Sequence, residues 1–599
     1  MTANGESMPH NDVTNMSSTD SAIPTESSIR VLEGFKRCSE SIMWSLMMDF
    51  YNEKGVTSWT KGIVPHFVTS NAFIGRSYAN IIAGYISDLC RMQSTSNTNT
   101  IDKTAKFYII EIGGGSGKLC FYVLKALERI RDRLDFPIEN IVYVLSDFTE
   151  SNVSFWETHA DLKPFVDDGR LDFAKFEAVH DDTLHLRVSG QVLRKNDVKN
   201  PICIIGNYLI DTLCHDIFQV DEDGVLKEGL VSVGIKDGKE TSDTTGVIGN
   251  IQNEYKYQPV GSNLADYYST GAQASDQLHL SRIMDWYRSY FAPDAKPDVM
   301  APSGASLLMP IGFLNAVRNL SDLSNGRAMI ITGDKGTSNP NRFRGLSEPH
   351  IAFHGSFSLM VNFHAIKLYC MSRGGFALIC EQEEASLMVN AFVLTGDEGS
   401  SATDLLTDND IINVERQEKF RDLHNSFDDN INNFSPNDFY LLQRSLKEEV
   451  VQKPSLASIV ALLKLSNWDC EVFFKFRDDI LAELPRATHG MRNDLERGVR
   501  RLWDSYYHLD NDKDIAFELG RLLFGMHYFQ QALEFYELSV KLFGEHHITH
   551  HNQGLCHSSL KNYDSAAICF KKSLAMKPDY EKARKWLDKV TADQMLSLD

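Results

Sequence analysis

The sequence predicts a two-part protein: an α/β unit with a parallel sheet and an inserted hairpin, followed by an all-helical unit. Three observations carry this. From Lys106 the short apolar runs FYIIEI, NIVYVLSD, RLDFAKFE and PICIIGN alternate with helical stretches, the texture of buried parallel strands joined by crossover helices. After Asp211, IFQVDEDGVLKEGLVSVGI reads as a hairpin turning near Asp223-Gly224, and RAMIITGD and GFALICEQ read as further strands. From about Phe434 the chain reads as helical to its end. At 599 residues it is too long for one hydrophobic core, so two or three domains are expected.

Taken in order, residues 1–29 hold no Lys or Arg and are rich in Ser, Thr and Asn. That predicts a disordered tail rather than an Arg-rich organellar presequence. Ile29 to Tyr51 and Ala72 to Met92 read as amphipathic helices, and the α/β unit is expected over residues 30–395. Within it Tyr257 to Tyr290 is rich in aromatics and reads as a lid or acceptor-binding insertion. Gly396 to Asp410 (GDEGSSATDLLTDND) is acidic, small and polar, so residues 396–433 are expected to be a linker region.

Within residues 434–599 a repeat is visible. Gly520 recurs as Gly554, Phe529 as Tyr563, Ala532 as Ala566 and Tyr536 as Phe570, each pair 34 residues apart, and Pro578 follows the second copy. This period, with Gly, Ala and aromatics at those offsets, resembles tetratricopeptide repeats, with clear copies at about 513–580. Ser455 to Tyr507 reads as degenerate units and Tyr580 to Val590 as a capping helix. Such a module implies a protein partner. The HHITHH run (His546, His547, His550, His551) has a spacing that can chelate metal; between repeat units such residues more often line a groove, and no metal is expected.

Composition narrows the function. The formal net charge is −21, which argues against nucleic acid or an anionic membrane as the main partner. No apolar run reaches the roughly 20 residues of a membrane-spanning helix. Ten scattered cysteines without a C-x-x-C pair predict a reducing, cytoplasmic setting rather than a disulfide framework.

The chemistry is concentrated in EIGGGSGK, residues 111–118, set between the apolar run FYII and the helical stretch LCFYVLKALERI. Strand, glycine turn, helix lets the backbone approach a nucleotide-like ligand. Leu119 after Lys118 excludes a P-loop, and Lys118 stands where a dinucleotide fold wants its third glycine. What remains is E-x-G-x-G-x-G (Glu111, Gly113, Gly115 and Gly117, with Gly114 between them). This resembles the first motif of the class I methyltransferase (Rossmann-like) sheet, whose ligand is S-adenosylmethionine. Asp147, thirty-six residues after Glu111 at the end of the next strand, stands where this fold places an acid on the ribose hydroxyls; the other reading is a cap on the following helix. Asp172 and Phe173 are suited to accepting from an adenine amino group and covering its ring, or are an exposed acid beside a core Phe.

At PICIIGNYLIDTL the resemblance becomes specific. Asn207, Leu209, Ile210, Asp211 and Leu213 fall on the N-E-L-L-D-A-L-P motif of the MidA-type family of mitochondrial and bacterial methyltransferases, which includes a complex I assembly factor that methylates an arginine. Upstream, HFVTSNAFIGRSYANIIAGYI (66–86) is similar to the family's G-D-F-x-T-x-P…F-G segment at Phe67, Thr69 and Ile74-Gly75. Downstream, ITGDKG (331–336) resembles its I-D-Y-G strand end and GSFSLMVNF (355–363) its D-I-T-A-H-V-D-F segment. The ordered set spans about residues 35–390.

The resemblance implies a bound S-adenosylmethionine touching Glu111, Gly113, Gly114, Gly115, Gly117, Asp147, Asp172, Phe173 and Thr69. It places the methyl acceptor at Asn207 and Asp211, which otherwise end the strand and cap the next helix. Departures fall on the acceptor side: Tyr208 replaces a family glutamate, Lys335 a tyrosine, Met360 a histidine and Asn362 an aspartate. The expected function is methylation of a protein, possible acceptors including arginine, with the repeats recruiting substrate or partner. Two alternatives stand: a small-molecule or other non-arginine methyltransferase, and an inactive methyltransferase-fold adaptor.

Overall fold

A computed structural model describes residues 29–60, 63, 67–95, 100–236, 244–260, 274–295, 302–349, 351–353, 356–383, 385–396, 418–449, 453–509 and 513–596. Residues 1–28 of the predicted tail fall outside these residues, as do most of the acidic stretch Gly396 to Asp410 and residues 261–273 of the predicted lid, whose described part includes the helix Ala274–Tyr290, while Ile29 begins a strand.

The core is a seven-stranded sheet. Its strands are β2 (Phe107–Ile112), β3 (Ile141–Asp147), β4 (Leu171–Lys175), β5 (Ile202–Asn207), β10 (Arg327–Asp334), β11 (Phe376–Leu378) and β12 (Met388–Thr395), in the order β11-β12-β10-β5-β2-β3-β4. The strands from β4 to β10 run parallel, whereas β12 is antiparallel to both of its neighbours. β2, β3 and β12 are apolar almost throughout because helices cover both faces. The chain order reverses between β2 and β5, which opens a crevice at the carboxyl ends of these strands.

A second, antiparallel sheet holds β1 (Ile29–Arg37), β6 (Asp216–Val220), β7 (Leu226–Lys236), β8 (Ile251–Pro259) and β9 (Ala305–Met309). The predicted hairpin is β6–β7. Its turn is fixed by Asp221, which accepts from the Asp223 and Val225 amides, and by Gly224 at φ +80°. The helix expected from Ile29 begins only at Ile42, as α1 (Ile42–Lys54), with Ser41 as its N-cap. Ile29–Arg37 instead pairs with β7; an unpaired β7 edge outweighs a weak helical pattern.

Helix α2 (Ala72–Thr95) packs against α3 (Lys118–Arg129), the helix that follows the glycine turn. Of the expected linker, residues 418–432 are structured: α8 (Arg421–Phe427) and the turn after it lie on α2, where Asp88 accepts from the Asp422 and Leu423 amides. Phe420, Leu423, Phe427 and Ile431 belong to the main core, so this part is a component of the α/β unit and not a spacer.

Beyond it, α9 (Pro436–Glu448), α10 (Leu456–Leu465), α11 (Cys470–Glu483) and α12 (His489–Asp504) lead into two helix pairs and a final helix. The pairs are α13 (Ile515–Gly525) with α14 (Phe529–Phe543), and α15 (His547–Ser559) with α16 (Tyr563–Met576); α17 (Glu581–Leu596) closes the stack. The 34-residue spacing has a packing cause. A Cβ on Gly520 would lie 2.7 Å from the Tyr536 ring, and one on Gly554 2.6 Å from the Phe570 ring. Among the described residues no helix is long and apolar enough to cross a membrane.

Candidate functional site

The carboxyl ends of β2, β3 and β5, the loop after β4, and α1 enclose a cleft of about 360 Å³, within the usual range for small-molecule sites. Glu111 and residues 112–116 form one wall; Asp147, Phe148 and Asn152 the second; Thr69 and Asn207 to Leu209 the third. Gly113, Gly115 and Gly117 have φ of +67°, +52° and +76°, values that L side chains rarely adopt. A Cβ on Gly113 would meet Leu209 at 2.9 Å and one on Gly115 would meet Trp59 at 2.7 Å, so side chains there would fill the cleft. The turn is pinned from behind: the Gly114 amide donates to the Ser146 carbonyl and the Trp156 indole to the Gly115 carbonyl.

Glu111 is buried with its carboxyl on the Tyr143 hydroxyl at 2.6 Å, and burial pushes its pKa up to about 8. Asp147 accepts from the Gly115 amide at 3.2 Å, from the amide and hydroxyl of Thr149 and from the Asn152 side chain. It therefore borders the cleft and also caps the turn into the next helix. Burial raises its pKa against those bonds.

Asp172 and Phe173 do not reach the cleft. In the β3–β4 register Asp147 stands level with Lys175, whereas Asp172 faces Val144, three residues, or about 10 Å, down the sheet. There the Asp172 carboxylate accepts from the amides of Phe173, Val188 and Ser189, and Phe173 packs on Trp156. The residues that do line this side are Phe176 to His180.

Asn207 accepts from the Tyr78 hydroxyl at 2.7 Å and donates to the Thr69 carbonyl at 3.3 Å, joining the loop before α2 to the end of β5. Asp211 follows in a short 3-10 turn, buried behind the cleft wall rather than on it, with Oδ1 lacking a partner. Its neighbour stands in the ITGDKG strand end, to which the sequence reading gave no site role. Asp334, at the end of adjacent β10, accepts from the amides of Ile210 and Asp211 at 3.0 and 3.3 Å and from that of Lys335 at 2.8 Å. Burial raises both carboxyls, and the Asp211 charge raises Asp334 further.

The departures fall into place around this pair. Tyr208, at φ +45°, lines the cleft and donates to the Ser386 carbonyl at 2.9 Å. Ser386, Lys335 and Met360 line a neighbouring cavity of about 510 Å³. Asn362 is buried as the N-cap of α7 (Phe363–Ser372) and bonds to Tyr287. Sequence reasoning also missed the wall from the N-terminal segment, Trp44, Met47, Met48, Tyr51 and Trp59; its signal was an aromatic-rich stretch between β1 and β2.

Comparison with known proteins finds a family similar to the part of the chain that holds the glycine turn. Residues 91–300 match the family described as "Putative S-adenosyl-L-methionine-dependent methyltransferase". That segment, which carries the glycine turn, Asp147 and Asn207, is similar to that methyltransferase family. Its cofactor is S-adenosylmethionine, and the cradle of positive-φ glycines suits a ligand of that size. Residues 549–580 match the tetratricopeptide repeat, so the methyltransferase carries such a repeat in its helical unit. Two solved structures from Burkholderia thailandensis, an uncharacterized protein and a superfamily member bound to S-adenosyl-homocysteine, are each 13% identical to it. They cover 63% of this chain and 91% of their own, with TM-scores of 0.34 and 0.35. No curated protein matches.

Proposed function

We propose that the chain transfers the methyl group of S-adenosylmethionine to a basic nitrogen of a protein, with arginine the first candidate. The observation that carries the acceptor class is the carboxyl pair of Asp211, in the turn after β5, and Asp334, at the end of β10, one of its oxygens unpartnered, behind the wall formed by Asn207 to Leu209. A guanidinium needs two carboxylates to orient it and offset its charge; Asp334 supplies the second, which the motif around Tyr208 lacks. When bound, the cofactor supplies an electrophilic methyl group. The residues proposed to hold it are Glu111, Gly113 to Gly115, Gly117, Asp147 and Thr69, with Phe176 to Ala178 in the part first assigned to Asp172 and Phe173. Asn207 fixes the Thr69 loop, and Asp211 with Asp334 orients the acceptor and takes up its proton. The residues' main contribution is alignment, since an in-line displacement depends on holding nucleophile and methyl close.

Residues 30–395 together with α8 then form the catalytic unit, and residues 434–599 a helical unit that binds a protein partner. Tyr208 and Met360 favour a second reading, a methyltransferase with a non-arginine acceptor. The test is transfer of labelled methyl from S-adenosylmethionine to a protein extract, followed by hydrolysis to amino acids. Labelled methylarginine, lost in Asp334→Asn, supports the first reading; label on another residue or in small molecules supports the second. No transfer to any acceptor by folded protein that binds the cofactor contradicts both.

A further inference from the structure

The helical unit does more than follow the methyltransferase fold in sequence: it reaches into the glycine turn. Tyr507, in the segment after α12, is buried and donates its hydroxyl to the Ser116 carbonyl at 2.7 Å, across 391 residues of chain. Its oxygen lies 3.0 Å from where a Cβ on Gly117 would be. The ring is clamped against His159 at 4.2 Å and 7° and packs on Phe121 of α3. The neighbouring backbone is tied as well, for His508 donates its amide to Asp161 and its carbonyl meets the His159 ring nitrogen at 2.8 Å.

A second tie lies one residue past the turn. Lys118, the first residue of α3, is buried and ion-paired with Glu471 at the start of α11. Against the cost of burial, Glu471 and Asp469 hold Lys118 charged. Asp469, the N-cap of α11, also accepts from the Ala72 amide at the start of α2.

We propose that Tyr507 is a positioning residue of the cofactor site, through which the helical unit sets the conformation of the glycine turn. This rests on the cleft being the cofactor site. The physical argument concerns the carbonyls. The Trp156 indole holds that of Gly115 and the Tyr507 hydroxyl that of Ser116. A trans peptide is planar, so anchoring the Gly115 carbonyl on the protein side points the Ser116 N–H the opposite way. Tyr507 fixes the next peptide unit, and with it the positive φ of Gly117. Without its hydroxyl the Ser116 carbonyl loses its partner in a buried setting, and the turn is free to leave the binding conformation. Occupancy at the helical unit and occupancy at the cleft are then linked, because each favours the same arrangement of this segment.

The experiment uses the full chain and S-adenosyl-homocysteine, with calorimetry well below the melting temperature and hydrogen exchange in parallel. Tyr507→Phe keeps the ring and removes only the hydroxyl. The expected result is a dissociation constant weakened by roughly 3- to 10-fold, the worth of one hydrogen bond, and in the wild type slower exchange at residues 505–509 when ligand binds. A purely structural role would lower the melting temperature and leave the constant unchanged, which overturns the proposal. If Tyr507→Phe does not fold, the wild-type exchange decides: protection of the glycine turn without protection of 505–509 overturns it too. Absence of binding by the wild type would instead sink the cofactor assignment.

Discussion

The proposed cofactor end and the proposed acceptor end of the site share one sheet edge, a strand apart, yet they are built by different means. At the first end the turn is a backbone feature: three positive-φ glycines, with the Gly115 carbonyl anchored by Trp156 and the Ser116 carbonyl by Tyr507. At the second end the groups are side chains, Tyr208 on the cleft wall with Asp211 and Asp334 behind it, brought together from the loop after β5 and the end of β10 only in the folded sheet. Backbone geometry tolerates few sequences, so the glycine turn keeps its pattern. Side-chain chemistry is free to change, and there the chain departs from the family it resembles.

The comparison breaks first if the glycine end is not the cofactor site. Gly113→Val adds a Cβ that would lie 2.9 Å from Leu209 at φ +67°, so loss of S-adenosyl-homocysteine affinity on the order of 100-fold or more is expected with the fold kept, read by calorimetry and circular dichroism. Next, Asp334→Asn is expected to lower kcat by about 100-fold while the cofactor constant stays within about twofold, a split that separates the two ends.

A pH series sharpens the cofactor end. Glu111 moves from an ordinary 4.5 to about 8 in the fold. The folded state therefore holds its proton more tightly than the unfolded chain does. This stability is fully present below about pH 4.5 and is lost as pH rises towards 8. Glu111→Gln is expected to flatten the fall in Tm between pH 5 and 8, the wild-type loss being on the order of a few kcal/mol. An equally steep fall in the variant would count against burial as the cause. Smallest is Asp172→Asn, which weakens three amide bonds. A loss of about 1 to 2 kcal/mol in denaturant unfolding is expected, with cofactor affinity unchanged because Asp172 lies below the cleft.

What was legible in the sequence follows the same division. The glycine turn, Asp147 and the 34-residue repeat could be read because each is a local constraint written at fixed spacing. Gly520 and Gly554 recur because each sits under an aromatic ring of its partner helix. Asp172 was misjudged because strand register is not local: a three-residue offset against β3 put it under the sheet rather than in the cleft. The pairing of Asp334 with the turn at Asp211, and Tyr507 altogether, stayed hidden because their partners lie over 100 and nearly 400 residues away. Likewise Ile29 to Arg37 looked helical in isolation, and only the open edge of β7 made it a strand.

The most direct measurement is calorimetric titration of S-adenosylmethionine into the full chain, with Gly115→Arg alongside. One site in the micromolar range is expected for the wild type and none for the variant, whose side chain would enter the space held by Trp59. Absence of heat with a folded wild type, or equal binding by both proteins, would contradict the cofactor assignment.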